Sequence, residues 1–564
     1  MGLTRTIPPF RIKVPEFETA DAMKLSYRDR VKLLGSLGVG LGLRVGGLSA
    51  LAGGASAAHA QSDAAGTLRW ALTPEPPSLV TAFNSAQMVQ QISAKMMDGL
   101  VAYDRKLDPI PALATAWTIS DDARTITFKL RENVKWHDGA PFTSADVKYT
   151  FEEVLKKHHP RGRATFANLE QVDTPDRNTA VFKLSKPSAY MLAALSASES
   201  PILPKHLFEK GDPTTSPLNS APVGTGPFKF AEWQRGKFIR LVRNPDYWVK
   251  GQPFFDSLIV RFIPDAGARA VALETGELDI SGGDPVPLAD LKRLDALPSL
   301  EVTTEGYSMF GAMYYFEFNM RDPQFKDVRV RQAIAHAMDR DFIAKNTWFG
   351  YASAATGPIS KAQPKFYSDN VPKYPFNPKR AEELLDQAGF PRQANGIRFR
   401  ISHDPASGSE EYRRFGEYFK QAMKVIGIDV DLRVSDAGTY QRRIWTDNAY
   451  QTTSYGIFTM PDPTIGVQRV FWSKNIKKGV PYSNGSGYTS ADMDALLEAA
   501  QTERDAQKRR ETFHRMQVVA MTDLPIIPII NRSHTSVYNK RLGHFTEDVE
   551  GVFGTFAAVT RASK

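Results

Sequence analysis

Two hydrophobic periodicities trade places along this chain, and that exchange constrains its fold more than any single residue does. Thr67–Leu72, Thr125–Leu130, Phe238–Val242, Leu258–Ile263 and Met313–Phe318 alternate or cluster apolar residues as half-buried strands do. Between them lie windows at helical spacing. Val330, Ile334, Ala337 and Met338 share one face within Asp327–Lys345, and Ala381, Leu384, Leu385 and Ala388 do so within Pro378–Ala388, where Gly389 stands as a C-terminal cap. Glu411–Val425 ends at Gly427 and is followed by the alternating strand Ile428–Val434. Ser490–Met521 reads as one long helical region led by Met493, Leu496, Leu497 and Ala500, with Ser490 as its N-cap. The proline-rich stretch Lys361–Pro378 reads as irregular. Strands interleaved with helices give an α/β class. At 564 residues the chain exceeds the roughly 250–300 at which one core stops growing, so more than one lobe is expected.

The first sixty residues read as a targeting segment outside that pattern. Lys24, Arg28, Arg30 and Lys32 precede an apolar, glycine-rich run from Leu33 to Leu43, and Ala58-His59-Ala60 follows as a small-residue cleavage site before Gln61. This order predicts export with cleavage near Ala60 and a periplasmic protein. Arg28-Asp29-Arg30 is an interrupted twin-arginine pattern, which leaves the export route open, and Met23 is an alternative start. Arg44 breaks the apolar run, so the segment is poor as a membrane span. Residues 1–60 carry eight Lys or Arg against four Asp or Glu, so their loss lowers the formal charge from +9 to +5. With only short basic blocks such as Lys156-Lys157 and Lys508-Arg509-Arg510, no nucleic-acid surface is indicated.

Catalytic patterns are missing. The chain has no cysteine, which excludes disulfides, thiolate metal sites and a cysteine nucleophile. It also lacks the G-x-S-x-G, phosphate-loop and H-E-x-x-H patterns. Gly38, Gly40 and Gly42 fall in the targeting segment. His158-His159 would point about 100° apart on a helix, poorly placed for chelation. Asp121-Asp122 and Glu152-Glu153 read as turn and surface charges. No enzyme, cofactor or metal is expected.

Several blocks in order resemble one family, the peptide/nickel-type solute-binding proteins of ABC importers, family 5. They are Met97–Asp104 with Pro111–Trp117; Phe128–Val147, which contains Trp136-His137-Asp138-Gly139; Pro222–Phe228 with Arg243–Trp248; Phe318-Asn319 with Asp327–Arg340; and Asn377–Gly389. The likeness spans about residues 70–560. His137-Asp138-Gly139 reads as a turn and Gly224-Thr225-Gly226-Pro227 as a tight loop, scaffold rather than site. The resemblance implies a two-lobed, class II clamshell. Lobe I would comprise 61–95, 222–305 and 528–564, with an extra family-specific subdomain at 96–221. Lobe II would run over 306–527, with crossings near Glu305-Gly306-Tyr307 and Leu524–Ile527. It also implies a monomeric receptor that captures an oligopeptide or peptide-like solute between the lobes and delivers it to an inner-membrane permease.

In the family, dipeptide-type members hold the ligand's amino terminus with an Asp shortly before a D-P pair and its carboxylate with an Arg ahead of the helix that leads into G-[IV], here Gly427-Ile428. Here the pair is Asp462-Pro463, and Thr459 and Ala406 stand at the two anchor positions, so strict dipeptide binding is not expected. Tyr455, Phe458, Thr459, Asp462, Arg469 and Trp472 remain candidate ligand residues with Gln468, as do Glu75 and Asn84 beyond the first strand, where α/β sheets present binding loops. Arg469 suits an anionic group, since a guanidinium grips a carboxylate with two bonds. Pairing of Arg469 with Asp462 is the structural alternative. A carrier of an opine-like or sugar-derived compound or a metal chelate, a secreted hydrolase, and a chaperone-like or adhesive protein remain open as other readings.

Overall fold

The computed structural model describes residues 66–562, so the targeting segment and its cleavage site lie outside the described residues. Two large sheets organise them. The first has seven strands, in the order 300–303, 536–539, 280–282, 67–71, 257–261, 238–243 and 228–234. Ile280–Gly282 and Ser257–Arg261 flank Thr67–Ala71 in parallel, and the rest of the sheet is antiparallel. The second sheet has six strands, in the order 352–354, 526–532, 312–318, 452–458, 399–405 and 428–432. A four-stranded antiparallel sheet of 114–119, 125–130, 179–184 and 169–176 forms a separate layer, with Phe128 and Phe182 in its core. This is an α/β protein with two principal sheets, one for each lobe of a clamshell.

The chain passes between the two large sheets twice, at 304–311 and again at 533–535. The second passage corrects the sequence reading, which put it near Leu524–Ile527. Ile526–Arg532 instead lies beside Ala312–Phe318 in the six-stranded sheet. Six of its seven residues are buried, because apolar residues occupy both faces of an inner strand. Two helical readings change as well. Ser490–Met521 is two helices, Ala491–Thr502 and Ala506–Asp523, and the Asp505 side chain caps the second by accepting from Lys508 N. The Asp327–Lys345 helix stops at His336, and Asp339 caps a new turn by accepting from Phe342 N. In both places a short acid satisfies orphan N–H groups and makes a restart favourable.

The blocks that carry the family resemblance meet in one knot. Asp98 accepts hydrogen bonds from Thr225 Oγ1 (2.9 Å), Trp248 Nε1 (2.9 Å) and Tyr247 (3.3 Å). His137 Nε2 meets Gly226 O at 3.0 Å, its Nδ1 accepts from Gly224 N, and burial pushes its imidazole down to about 4. The ring is thus neutral and held by backbone groups. Glycine is required because the loop runs against the 94–97 backbone: a Cβ on Gly224 would lie 1.9 Å from Met96 O. Gly224→Ala should therefore lower the urea midpoint by the equivalent of about 1–3 kcal/mol, the usual cost of forcing volume into a packed site. An unchanged midpoint in chemical denaturation would contradict that packing.

Candidate functional site

The two sheets face each other across closed ground. Met460 and Ile465, from beyond the 452–458 strand, join the apolar core of the first sheet. Lys365 donates to Leu107 O (3.3 Å) and Asp108 Oδ1 (2.5 Å), and Ala189 N donates to Gln501 O (3.2 Å).

Four of the eight sequence candidates cluster where the 452–458 strand ends. Tyr455 is fully buried and donates to Glu317 Oε2 at 2.6 Å, while Tyr450 donates to Oε1 at 2.7 Å. Burial pushes the Glu317 carboxyl up to about 7, against the pull of those two hydroxyls. Phe458 packs on Phe310 (5.1 Å), His534 (5.4 Å) and Phe553 (6.1 Å), so its ring touches both chain crossings. Thr459 donates to Gly311 O (3.0 Å) and to the Gln363 side-chain carbonyl, a neutral pair. Arg469 sits on the turn Gln468–Phe471 with its Nε donating to Gly466 O (3.1 Å).

Arg469 is the one charged residue of the four. Its Nη1 and Nη2 bond to no protein acceptor among the described residues. Its guanidinium lies 5.6 Å from the centre of the Tyr482 ring. Burial lowers it to about 10, and Arg161 opposes its charge as well. Arg161 reaches in from the layer of the four-stranded sheet and is held by both oxygens of the buried Glu199, which Gln90 Nε2 also approaches at 3.5 Å. Glu199 is thus taken up by Arg161, and Arg469 feels that carboxylate only through space. The half-buried head of Arg469, with those two free donor nitrogens, suits an anion.

The other candidates are occupied elsewhere. Asp462 pairs with Arg509 rather than Arg469, accepting from Nη1 (2.6 Å) and Nη2 (2.8 Å), and its carboxylate also caps Thr464 N. Trp472 Nε1 donates to Glu498 (3.1 Å). Glu75 accepts from Trp233 Nε1 and Gly236 N, both at 2.9 Å, and so pins its loop to the 228–243 hairpin. Asn84 Oδ1 accepts from Ala86 N, a local turn bond. At the carboxylate-anchor position, Ala406 N donates to Ser454 O, so only backbone serves there.

Sequence reasoning missed the groups at the crossings. A cavity of about 320 Å³ lies there, lined by Arg105, Tyr307, Gly311, Arg532, His534 and Asp548 among others. Arg532 joins Asp284 Oδ2 (2.6 Å) and Tyr412 (2.9 Å). The sequence signal was faint: Arg532 is the first charged residue after the apolar run that begins at Leu524, and Asp284 follows a Gly-Gly pair at a strand end. Among the described residues, no three His, Asp or Glu side chains are grouped to hold a metal ion.

Residues 108–478 match the family model described as bacterial extracellular solute-binding proteins, family 5 middle. A Brucella ovis protein named as an ABC transporter peptide-binding protein is 32% identical over 444 residues, covering 76% of this chain and 80% of its own length. Helicobacter pylori DppA, an ABC transporter-associated periplasmic binding protein solved with the peptide STSA, superposes at TM-score 0.76 with 26% identity, over 88% of this chain and 98% of its own. AgaA from A. tumefaciens R10, solved with agropinic acid, superposes at 0.74 with 27% identity, over 88% and 99%.

Glu317 yields a stability test. Its folded value lies above the ordinary 4.5, so the folded state holds the proton more tightly than the unfolded chain. The stability this contributes is full below about 4.5 and is lost as pH rises through about 7. Relative to Glu317→Gln, the wild type should lose roughly 3 kcal/mol across that window. Denaturant titrations at pH 4.5 and 8 check the sign; a gain in relative wild-type stability with rising pH would refute it.

Proposed function

The chain belongs to the bacterial extracellular solute-binding proteins of family 5, and from that membership we propose that it is the periplasmic receptor of an ABC importer, taking a peptide or peptide-like solute into its interlobe cleft and passing it to the membrane permease. Proteins of this family bind solutes for transport, so this one is a binder and not an enzyme. No helix among the described residues is long and apolar enough to cross a membrane. The expected basic–apolar–small segment supports export, and release near Ala60 would leave the two-lobed body.

The observation that carries the ligand reading is the unpaired head of Arg469. A solute carboxylate placed there would satisfy Nη1 and Nη2 and neutralise the Arg469 charge. Tyr482, Phe458 and the buried Tyr455 would frame it, and Thr459 with Gln363 would offer neutral hydrogen-bonding groups. Nearby carboxylates are spent: Asp462 on Arg509, Glu199 on Arg161, Asp284 on Arg532. That leaves them poorly placed to hold a free ammonium and favours recognition of peptide backbone and carboxylate over a charged amino terminus. The same feature suits an opine-like acid, the second reading, which the likeness to AgaA supports.

Native mass spectrometry of protein purified gently from its exporting host separates the two. A ladder of bound masses built from amino-acid residues supports mixed peptides; one discrete non-peptide mass supports the opine-like, sugar-derived or chelate alternative. With the bound species in hand, Arg469→Ala should weaken its binding roughly 10- to 100-fold, the worth of a charge-assisted hydrogen bond. The melting temperature should stay unchanged. Unchanged affinity with a lower melting temperature would make Arg469 structural.

A further inference from the structure

The second chain crossing is bridged by a carboxylate and a guanidinium of the protein itself. Arg532 is the last residue of the 526–532 strand in the six-stranded sheet. Asp284 follows Ile280–Gly282 in the seven-stranded sheet, where that strand pairs with Ser536–Asn539 beyond the crossing. Asp284 Oδ2 accepts from Arg532 Nη2 (2.6 Å) and His534 Nδ1 (2.9 Å), and its Oδ1 accepts from Thr535 N (3.0 Å). Gly283 N and Asp284 N both donate to Thr535 O, at 3.1 and 3.2 Å. Arg532 Nη1 in turn donates to Tyr412 (2.9 Å) on the helix Glu410–Val425, and the guanidinium lies 5.5 Å from that ring's centre. One carboxylate of the first lobe therefore binds groups just before and within the 533–535 crossing.

The enclosure makes the pair matter. The Arg532 side chain is 13% exposed and that of His534 4%. Burial alone would raise the Asp284 carboxyl, but His534 and Arg532 outweigh it and hold it well below the usual carboxylate range. Breaking a buried pair leaves an uncompensated charge, so movement at the crossing that separates these groups is costly.

We propose that Asp284 and Arg532 form a latch across the hinge which holds the two lobes closed without any solute. A latch of this kind raises the closed fraction of the empty protein. It strengthens the apparent affinity for every solute by the same factor, since affinity scales with the fraction of molecules already competent to bind. It is independent of which solute the cleft takes and of the Arg469 reading.

The test uses protein unfolded and refolded to strip bound molecules, with small-angle X-ray scattering of wild type, Asp284→Asn, Arg532→Gln and the double variant. The wild type should scatter as the closed form. Each single variant should shift to a larger radius of gyration while keeping a cooperative melt, and the double variant should shift no further than the singles. Because the chain has no cysteine, Lys250→Cys with Lys420→Cys places two labels cleanly on exposed positions of the two lobes, and their distance distribution reads the same opening. If Asp284→Asn fails to fold, Arg532→Gln with the label pair decides alone. Variants as closed as the wild type, an open wild type that the substitutions leave unchanged, or additive opening in the double variant would each overturn the latch.

Discussion

The chain joins its two large sheets through only two short passages, 304–311 and 533–535, and the character of those passages governs the rest of the structure. Both enter the six-stranded sheet through neighbouring strands, Ala312–Phe318 and Ile526–Arg532, whose side chains are almost all buried. Rigid strands on either side leave a few backbone residues to absorb any change in lobe orientation. Aromatic rings gather at that pivot: Phe310 from the first passage, His534 from the second, and Phe458 and Phe553 packed between them.

Charge is distributed with the same economy. The buried carboxylates around the candidate site are mostly matched by cations of the protein, as in Asp462 with Arg509, Glu199 with Arg161, and Asp284 with Arg532. Glu317 meets two tyrosine hydroxyls instead of a cation, and their downward pull does not offset the burial that raises it. Arg469 is the exception in this set. Its Nη groups have no protein acceptor among the described residues, which is why the proposed solute carboxylate is placed there.

The family blocks were legible in the sequence, although their physical role was not. His137 and Gly224–Gly226 lie far apart in the chain and read separately as a turn and a tight loop. In the fold they bind each other, and Asp98 with Trp248 and Tyr247 completes the same knot. The candidate site was less legible. Tyr455, Phe458, Thr459 and Arg469 were found because they lie close together in sequence on one strand and the turns after it. Arg161, Glu199, Asp284, Arg532 and Tyr412 come from separate segments, and each alone is an ordinary charged or aromatic residue.

By itself the sequence determined the α/β class, the lack of thiol chemistry, the family, and most strands and helices, because local periodicity and ordered motifs carry that information within a few residues. It misplaced the second crossing and the breaks at Ala337–Asp339 and Glu503–Asp505, since an apolar strand near a lobe boundary and a capped helix restart both look continuous along the chain. Only the tertiary structure decided which charges are spent and which are free. Asp462 and Arg469 are seven residues apart and look like a pair, yet Asp462 turns to Arg509, far along the sequence, and leaves Arg469 open. Charge pairing depends on distances of a few ångströms through space, and those are set by how the sheets close on each other.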